Sequence, residues 1–463
     1  MKGIIFIILF SPALAYCQLK DADKAYDELR YADAIYGYTA AMKRSTLFTE
    51  ALLKLATSYD KTQQYTKSLG CYELMKNDSL NAAARYRYAQ LLAINGRYTD
   101  AARQYKLADP DEQTRQTIAI YEQGAAPLKK DSANWTTALL NINSGYADFS
   151  PVPYGAGLVF VSDRPERVFI KAANGWNGGS FLTLYRIVDT ARVKDATLRN
   201  KELEQVLSYA SSDKKNHDSD PQTSSDSRTV ATNPQYNFKQ VPNQLSPAMV
   251  FPFNTKLNKK YHIGPVVFTK NYDTIIVTYN SQIRTKGKGN ISRLRLKTMV
   301  MKNDDWVTIQ EFPYNNDAYS IGHPALHPNG QVLFFTSDMP GGMGGKDIYY
   351  SLRKDTGWGP PVNAGPMVNT SGDEMFPYIA PDGTLYFSSD KWPGLGGLDI
   401  FSVRLGNNYK AVSEAVNAGV PFNSSHNDFG ILVEPNSTNG YFSSDRRGND
   451  DIYSFARRYQ GRK

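Results

Sequence analysis

One unit is written three times over the last third of this chain, and it restricts the fold more than any other feature. His323-Pro324, Pro328-Asn329-Gly330, Leu333-Phe334-Phe335-Thr336-Ser337-Asp338 and Asp347-Ile348-Tyr349 return as Phe376-Pro377, Pro381-Asp382-Gly383, Leu385-Tyr386-Phe387-Ser388-Ser389-Asp390 and Asp399-Ile400-Phe401. Asp338 to Asp390 and Asp347 to Asp399 are both 52 residues. A third copy runs through Asp428-Phe429-Gly430, Tyr441-Phe442-Ser443-Ser444-Asp445 and Asp451-Ile452-Tyr453. Two weaker copies precede them, around Asp148-Phe149-Ser150-Pro151 and His262-Ile263-Gly264-Pro265. Each holds short alternating apolar runs bounded by Gly, Pro, Asn and Asp, the pattern of strands and turns. Such a unit buries its faces only against neighbouring copies, so the repeats predict a β-propeller over 136–457.

Five motifs predict five blades. A sixth, divergent blade stays open between Asp189 and Ala248. That stretch reads more readily as a mobile insertion, about 189–247, because Ser211 to Pro234 is polar and nearly devoid of apolar residues.

Ahead of the propeller the period changes. From Leu19 to about Ala125, apolar and small residues recur at three and four, the helical spacing. Tyr31-Ala32-Asp33-Ala34-Ile35, Tyr65-Thr66-Lys67-Ser68-Leu69 and Tyr98-Thr99-Asp100-Ala101-Ala102 stand 34 and then 33 residues apart. That is the tetratricopeptide period, and the residues suit it. Ala34, Ser68 and Ala101 let helices approach closely, while Tyr38, Tyr72 and Tyr105 fill the neighbouring groove. Residues 18–125 are therefore expected to form an α-solenoid closed by a capping helix, Asp111 to Gly124, with a linker at 126–135. The fold class is α + β, in two domains.

Lys2, the apolar run Gly3–Phe10 and small residues near Ala13–Cys17 read as a signal peptide, 1–17, cleaved before Gln18. Acylation of Cys17 is the rival, disfavoured by the bulk of Tyr16. Cys71 would then be the last cysteine, so no internal disulfide is expected. The net charge of +8 is spread along the chain, which argues against a nucleic-acid partner.

The runs 382–390, Gly396-Gly397-Leu398-Asp399-Ile400-Phe401 and Trp358-Gly359-Pro360-Pro361-Val362-Asn363 resemble the TolB-type propeller repeat. Together with the helical period they are similar to envelope proteins of the Bacteroidetes, the PorE/OmpA type associated with type IX secretion. In that group a tetratricopeptide array, a propeller and an OmpA-like peptidoglycan-binding domain follow one another. This chain ends ten residues after Tyr453, so the OmpA-like domain is expected to be lacking. The resemblance implies a periplasmic protein associated with the outer membrane.

Candidate chemistry is sparse. His323 and His327 have a ligand-like spacing of four, but Pro324 and Pro328 oppose the helix that would align them. His262 and His323 align with Phe149, Phe376 and Phe429, which assigns them structural roles. Asp338, Asp347, Asp390, Asp399, Asp445 and Asp451 flank Gly-rich loops that superficially suit calcium. Two carboxylates per loop, beside Lys346, Lys391 and Arg446, read instead as acceptors for turn amides. No metal, cofactor or enzymatic activity is expected. The inward face of the helices, with Glu50, Thr57, Asp60, Tyr86 and Gln90, is the expected partner-binding surface, which makes the chain a protein-interaction scaffold. The alternative is a propeller that binds a small ligand, a glycan or a peptidoglycan fragment in its central funnel.

Overall fold

In the computed structural model, Tyr31, Tyr65 and Tyr98 each open the second helix of a hairpin. The structure describes residues 12–43, 48–75, 79–164, 176, 180–193, 195–196, 250–254, 262–282, 292–303, 305–355, 357–435 and 438–458. Most of the expected insertion at 189–247 and most of the expected leader lie outside them. Helices α1 (Pro12–Asp27) and α2 (Tyr31–Met42), α3 (Thr49–Lys61) and α4 (Tyr65–Glu73), and α5 (Ala82–Ile94) and α6 (Tyr98–Lys106) form three hairpins, followed by α7 (Glu112–Glu122). Each hairpin turns on one left-handed residue, Leu29, Gln63 or Gly96, at φ 58°, 59° and 73°. Only Gly96 adopts that conformation without a steric cost.

The predicted small residues are where the helices meet. Ala34, Ser68 and Ala101 are fully buried, as is Tyr38. Ser68 donates its hydroxyl to the Ala56 carbonyl at 2.8 Å. Asn81 and Asp111 cap α5 and α7 by accepting the amides of Ala84 and Thr114. Cys71 is a buried free thiol whose pKa burial pushes up to about 11. No helix among the described residues is long and apolar enough to cross a membrane.

The remainder is a five-bladed propeller. Its first strand, β1 (Trp135–Leu139), belongs to the last blade. Blade one is β2 (Asp148–Tyr154), β3 (Gly157–Ser162), β4 (Thr183–Ile187) and β5 (Phe251–Pro252). Blade two is β6 (Ile263–Phe268), β7 (Thr274–Gln282), β8 (Ser292–Lys302) and β9 (Asp305–Glu311). Blade three is β10 (Ile321–Leu326), β11 (Val332–Ser337) and β12 (Asp347–Lys354), edged by β13 (Gly357–Trp358) and β14 (Val362–Asn363). Blade four is β15 (Glu374–Ile379), β16 (Thr384–Ser389), β17 (Asp399–Arg404) and β18 (Val416–Asn417). Blade five is β19 (Asp428–Val433), β20 (Asn439–Ser444) and β21 (Asp451–Arg457), completed by β1, which pairs from Trp135↔Arg457 to Leu139↔Tyr453. The inner strands touch in the order β2, β6, β10, β15, β19, and β19 returns to β2. The ring thus closes on five blades, leaving no place for a sixth.

One polar bond recurs in every blade. The residue just before the inner strand donates its amide to an Asp or Asn near the end of the second strand. The pairs are Ala147 to Asp163, His262 to Asn280, Ser320 to Asp338, Asp373 to Asp390 and Asn427 to Asp445, at 2.6–2.8 Å. The second strands form the buried centre of each blade; all six residues of β11 are buried, and each large apolar side chain there contributes about 1.5–3 kcal/mol.

Candidate functional site at the propeller axis

All five inner strands break register near their start, with two residues on the inner strand opposing one on its partner. The irregularity turns side chains toward the axis. At the third residue of four of these strands the backbone is left-handed: Ser150, His323, Phe376 and Gly430 have φ of 51°, 52°, 54° and 59°. This separates residues that sequence alignment groups together. His323 and Phe376 share the third position, Phe149 and Phe429 occupy the second, and His262 precedes its strand.

The rings nonetheless converge. His323 stacks on Phe376 with centroids 4.0 Å apart, Phe376 lies 4.5 Å from Phe429, and Phe429 lies 5.9 Å from Phe149. Beside them is a cavity of about 260 Å³, walled by Leu182, Leu294 and Leu398 and closed by three polar residues, Asn427, Asp450 and Gln63. Gln63 comes from the α3–α4 turn, so the helical array completes the site.

The titratable groups of the cavity are held near neutrality of charge. His262 Nδ1 accepts the Leu182 amide at 3.0 Å, which leaves the ring proton on Nε2, and burial lowers its pKa to about 4. Burial and, secondarily, the charge of Lys346 lower His323 to about 3. His323 Nδ1 is buried with no hydrogen-bond partner in the structure. Asp450 accepts the Gln63 side-chain amide at 2.9 Å. Burial first, and then the charge of Asp445, push its pKa up to about 7.

The inward face of the helices lies on the propeller. Tyr65 donates its hydroxyl to Asp445 at 2.9 Å, and burial followed by the Asp445 charge holds that phenol well above its usual range. Gln90 donates to the Asp390 carbonyl at 3.2 Å. Lys391 from blade four reaches Asp111 and Thr114, each at 2.9 Å, and lies 4.4 Å from the Tyr86 ring centre. At the other end of the seam, Trp176 donates its indole N–H to the Lys61 carbonyl and packs edge-on against Tyr31. Successive hairpins thus sit over blades one, five and four.

Of the residues expected to grip a partner, Tyr86 and Gln90 contact this chain's own propeller. Asp60 pairs with Arg87, which also donates to Gln90. Thr57 returns its hydroxyl to the Leu53 carbonyl, and Glu50 is solvent-facing beside Lys54. Gln63 and Tyr65, which make the seam, carry no sequence signal of that role; Gln63 reads as turn and Tyr65 as repeat consensus.

Five of the six blade-loop aspartates accept backbone amides. Asp338, Asp390 and Asp445 make the recurring bond described above. Asp347 accepts the amides of Met343 and Gly344 and the Asn363 side chain. Asp399 accepts those of Leu395 and Gly396, where a Cβ would strike the Ser425 carbonyl. Asp451 is buried, and burial and then the Asp148 charge push it up to about 8. Among the described residues no three His, Cys, Asp or Glu side chains are grouped to hold a metal ion.

No family model matches the chain, and no curated protein matches it. Among solved structures it is similar to TolB from Acinetobacter baumannii, at 18% identity and a TM-score of 0.26, over 39% of this chain and 37% of that one. It is similar to a mannose phosphorylase, MPT-4, from Leishmania mexicana, at 11% identity and a TM-score of 0.38, over 73% of this chain and 92% of the other. A thermostable family-43 glycoside hydrolase aligns at 10% identity and a TM-score of 0.36, over 68% and 89%.

Proposed function

We propose that the chain is a non-enzymatic scaffold of a bacterial cell envelope, combining tetratricopeptide repeats with a TolB-type propeller. It is exported to the periplasm and held at an outer-membrane or type IX secretion complex by protein partners. The observation that carries this reading is the seam. Polar bonds along the whole helical array fix it across one face of the propeller, so two folds suited to presenting surfaces form one composite platform. Because the inward face is covered, the partner surface is the opposite edge, where Phe48, Leu74 and Leu107 are 81%, 63% and 60% exposed. Leu74 and Leu107 are the residues that end α4 and α6, so the edge repeats with the array.

Fractionation of cells producing the full chain tests this. The wild type should sediment with envelope complexes, and a Leu74→Asp/Leu107→Asp variant of unchanged melting temperature should be released. A wild-type protein that is freely soluble, or one held by a lipid on Cys17, overturns it. A second reading, a propeller that binds a small ligand, is supported by the axial cavity.

A further inference from the structure

The axial cavity is lined by two chemically different sets of groups. One is a contiguous set of aromatic faces, Phe149, Phe429, Phe376 and His323. The other includes the Asp450 carboxyl, whose hydrogen-bond partner across the seam is a neutral amide, Gln63. Among the described residues no Lys or Arg pairs with Asp450. Arg164 is engaged with Asp148 and Arg446 with Asp428, while Arg447 acts on the neighbouring Asp451. The groups that act on Asp450 are instead Asp445, Asp148 and Asp163, all of the same sign. Among the described residues the array brings Gln63 to Asp450 and Tyr65 to Asp445, and the two cavity histidines are neutral. An ionised carboxylate in such surroundings is costly unless a proton or a cation answers it. The buried, unpartnered Nδ1 of His323 lies on the same cavity and offers a second polar contact.

We propose that the cavity binds a small organic cation, an amine with an apolar body, whose ammonium meets Asp450 while the body lies against the Phe149, Phe376 and Phe429 rings. Aromatic faces and a carboxylate reinforce each other in attracting such an ion. The proposal is independent of the scaffold reading and gives the ligand-binding reading a chemical class.

Calorimetry on the full chain with phenethylamine, phenethyl alcohol and phenylpropionate tests it. Phenethylamine should bind at least about tenfold more tightly than the alcohol, and the acid should not bind. Since the amine must displace the carboxyl proton below the Asp450 pKa of about 7, its affinity should rise by up to about tenfold per pH unit between pH 5 and 7, with proton release into the buffer. Asp450→Asn should remove both the preference and the pH dependence. Gln63→Lys, which tethers an ammonium beside Asp450 at a turn that already accepts a side chain, should block binding and raise the melting temperature. Alcohol and amine binding alike would sink the cation assignment while leaving a ligand site. Binding of none of the three would remove the ligand-binding reading as well.

Discussion

His323 is a polar ring in an apolar place. Its backbone amide is satisfied by the Thr278 hydroxyl at 3.0 Å, its face by Phe376, and its Nδ1 by nothing in the protein. An unpaired buried nitrogen costs stability, whereas an apolar ring of similar shape does not. Phe376 adopts nearly the same φ at the same strand position, so the backbone there accepts phenylalanine. His323→Phe should therefore stabilise the apo-protein by about 1 kcal/mol in urea unfolding. A loss of similar size would mean that Nδ1 has a partner in solution.

Each blade is the unit of structure, and its polar skeleton is carried by aspartates. Asp399 accepts two loop amides while its Oδ1 finds no partner, and burial, followed by the Asp428 charge, holds its pKa well above the ordinary range. Asp399→Ala should lower stability by about 1–3 kcal/mol by orphaning the amides of Leu395 and Gly396. Chelator should leave the wild-type melting temperature unchanged; strong stabilisation by calcium would contradict the turn-acceptor role. At this scale much was legible in advance. The 52-residue spacing and the Tyr31, Tyr65, Tyr98 period are local, repeated patterns, and they located the blades and the helix hairpins. The axis was less legible, because a register break that displaces one residue per strand leaves no mark in composition, so His323 matches Phe376 in space but not Phe149 or Phe429, and His262 matches none of them. The seam was not legible at all. Tyr86 and Gln90 look like spare polar positions on a helix face until Asp390 and Lys391, some 300 residues away, are brought against them.

In the whole molecule the apolar cores are separate: the helical core shares no residue with the propeller clusters, and what joins them is mainly hydrogen bonds and ion pairs, with a few ring contacts. The propeller's buried carboxyls, one of them at the seam, make stability respond to pH. Glu374 and Asp450 are pushed up to about 7 and Asp451 to about 8, with burial the largest cause in each. Their pKa values are raised in the folded state, so that state binds more protons than the unfolded chain, and stability falls as pH rises through those values. His262 and His323, lowered to about 4 and 3, act in the opposite direction mainly below about pH 7, where the unfolded imidazoles charge. Between pH 6.5 and 8.5 the carboxyls dominate. Stability should drop by on the order of 3 kcal/mol across that interval, and Asp451→Asn should flatten the urea-midpoint profile; a stability that rises with pH there would be incompatible with protonated buried acids. The union of the array with the propeller is tested most directly by a double-mutant cycle on Tyr65→Phe and Asp445→Asn, residues 380 positions apart in sequence. If the hydroxyl and carboxylate meet in solution, the two changes are coupled by about 1 kcal/mol. If the helices swing free of the propeller, the two effects add to within about 0.3 kcal/mol.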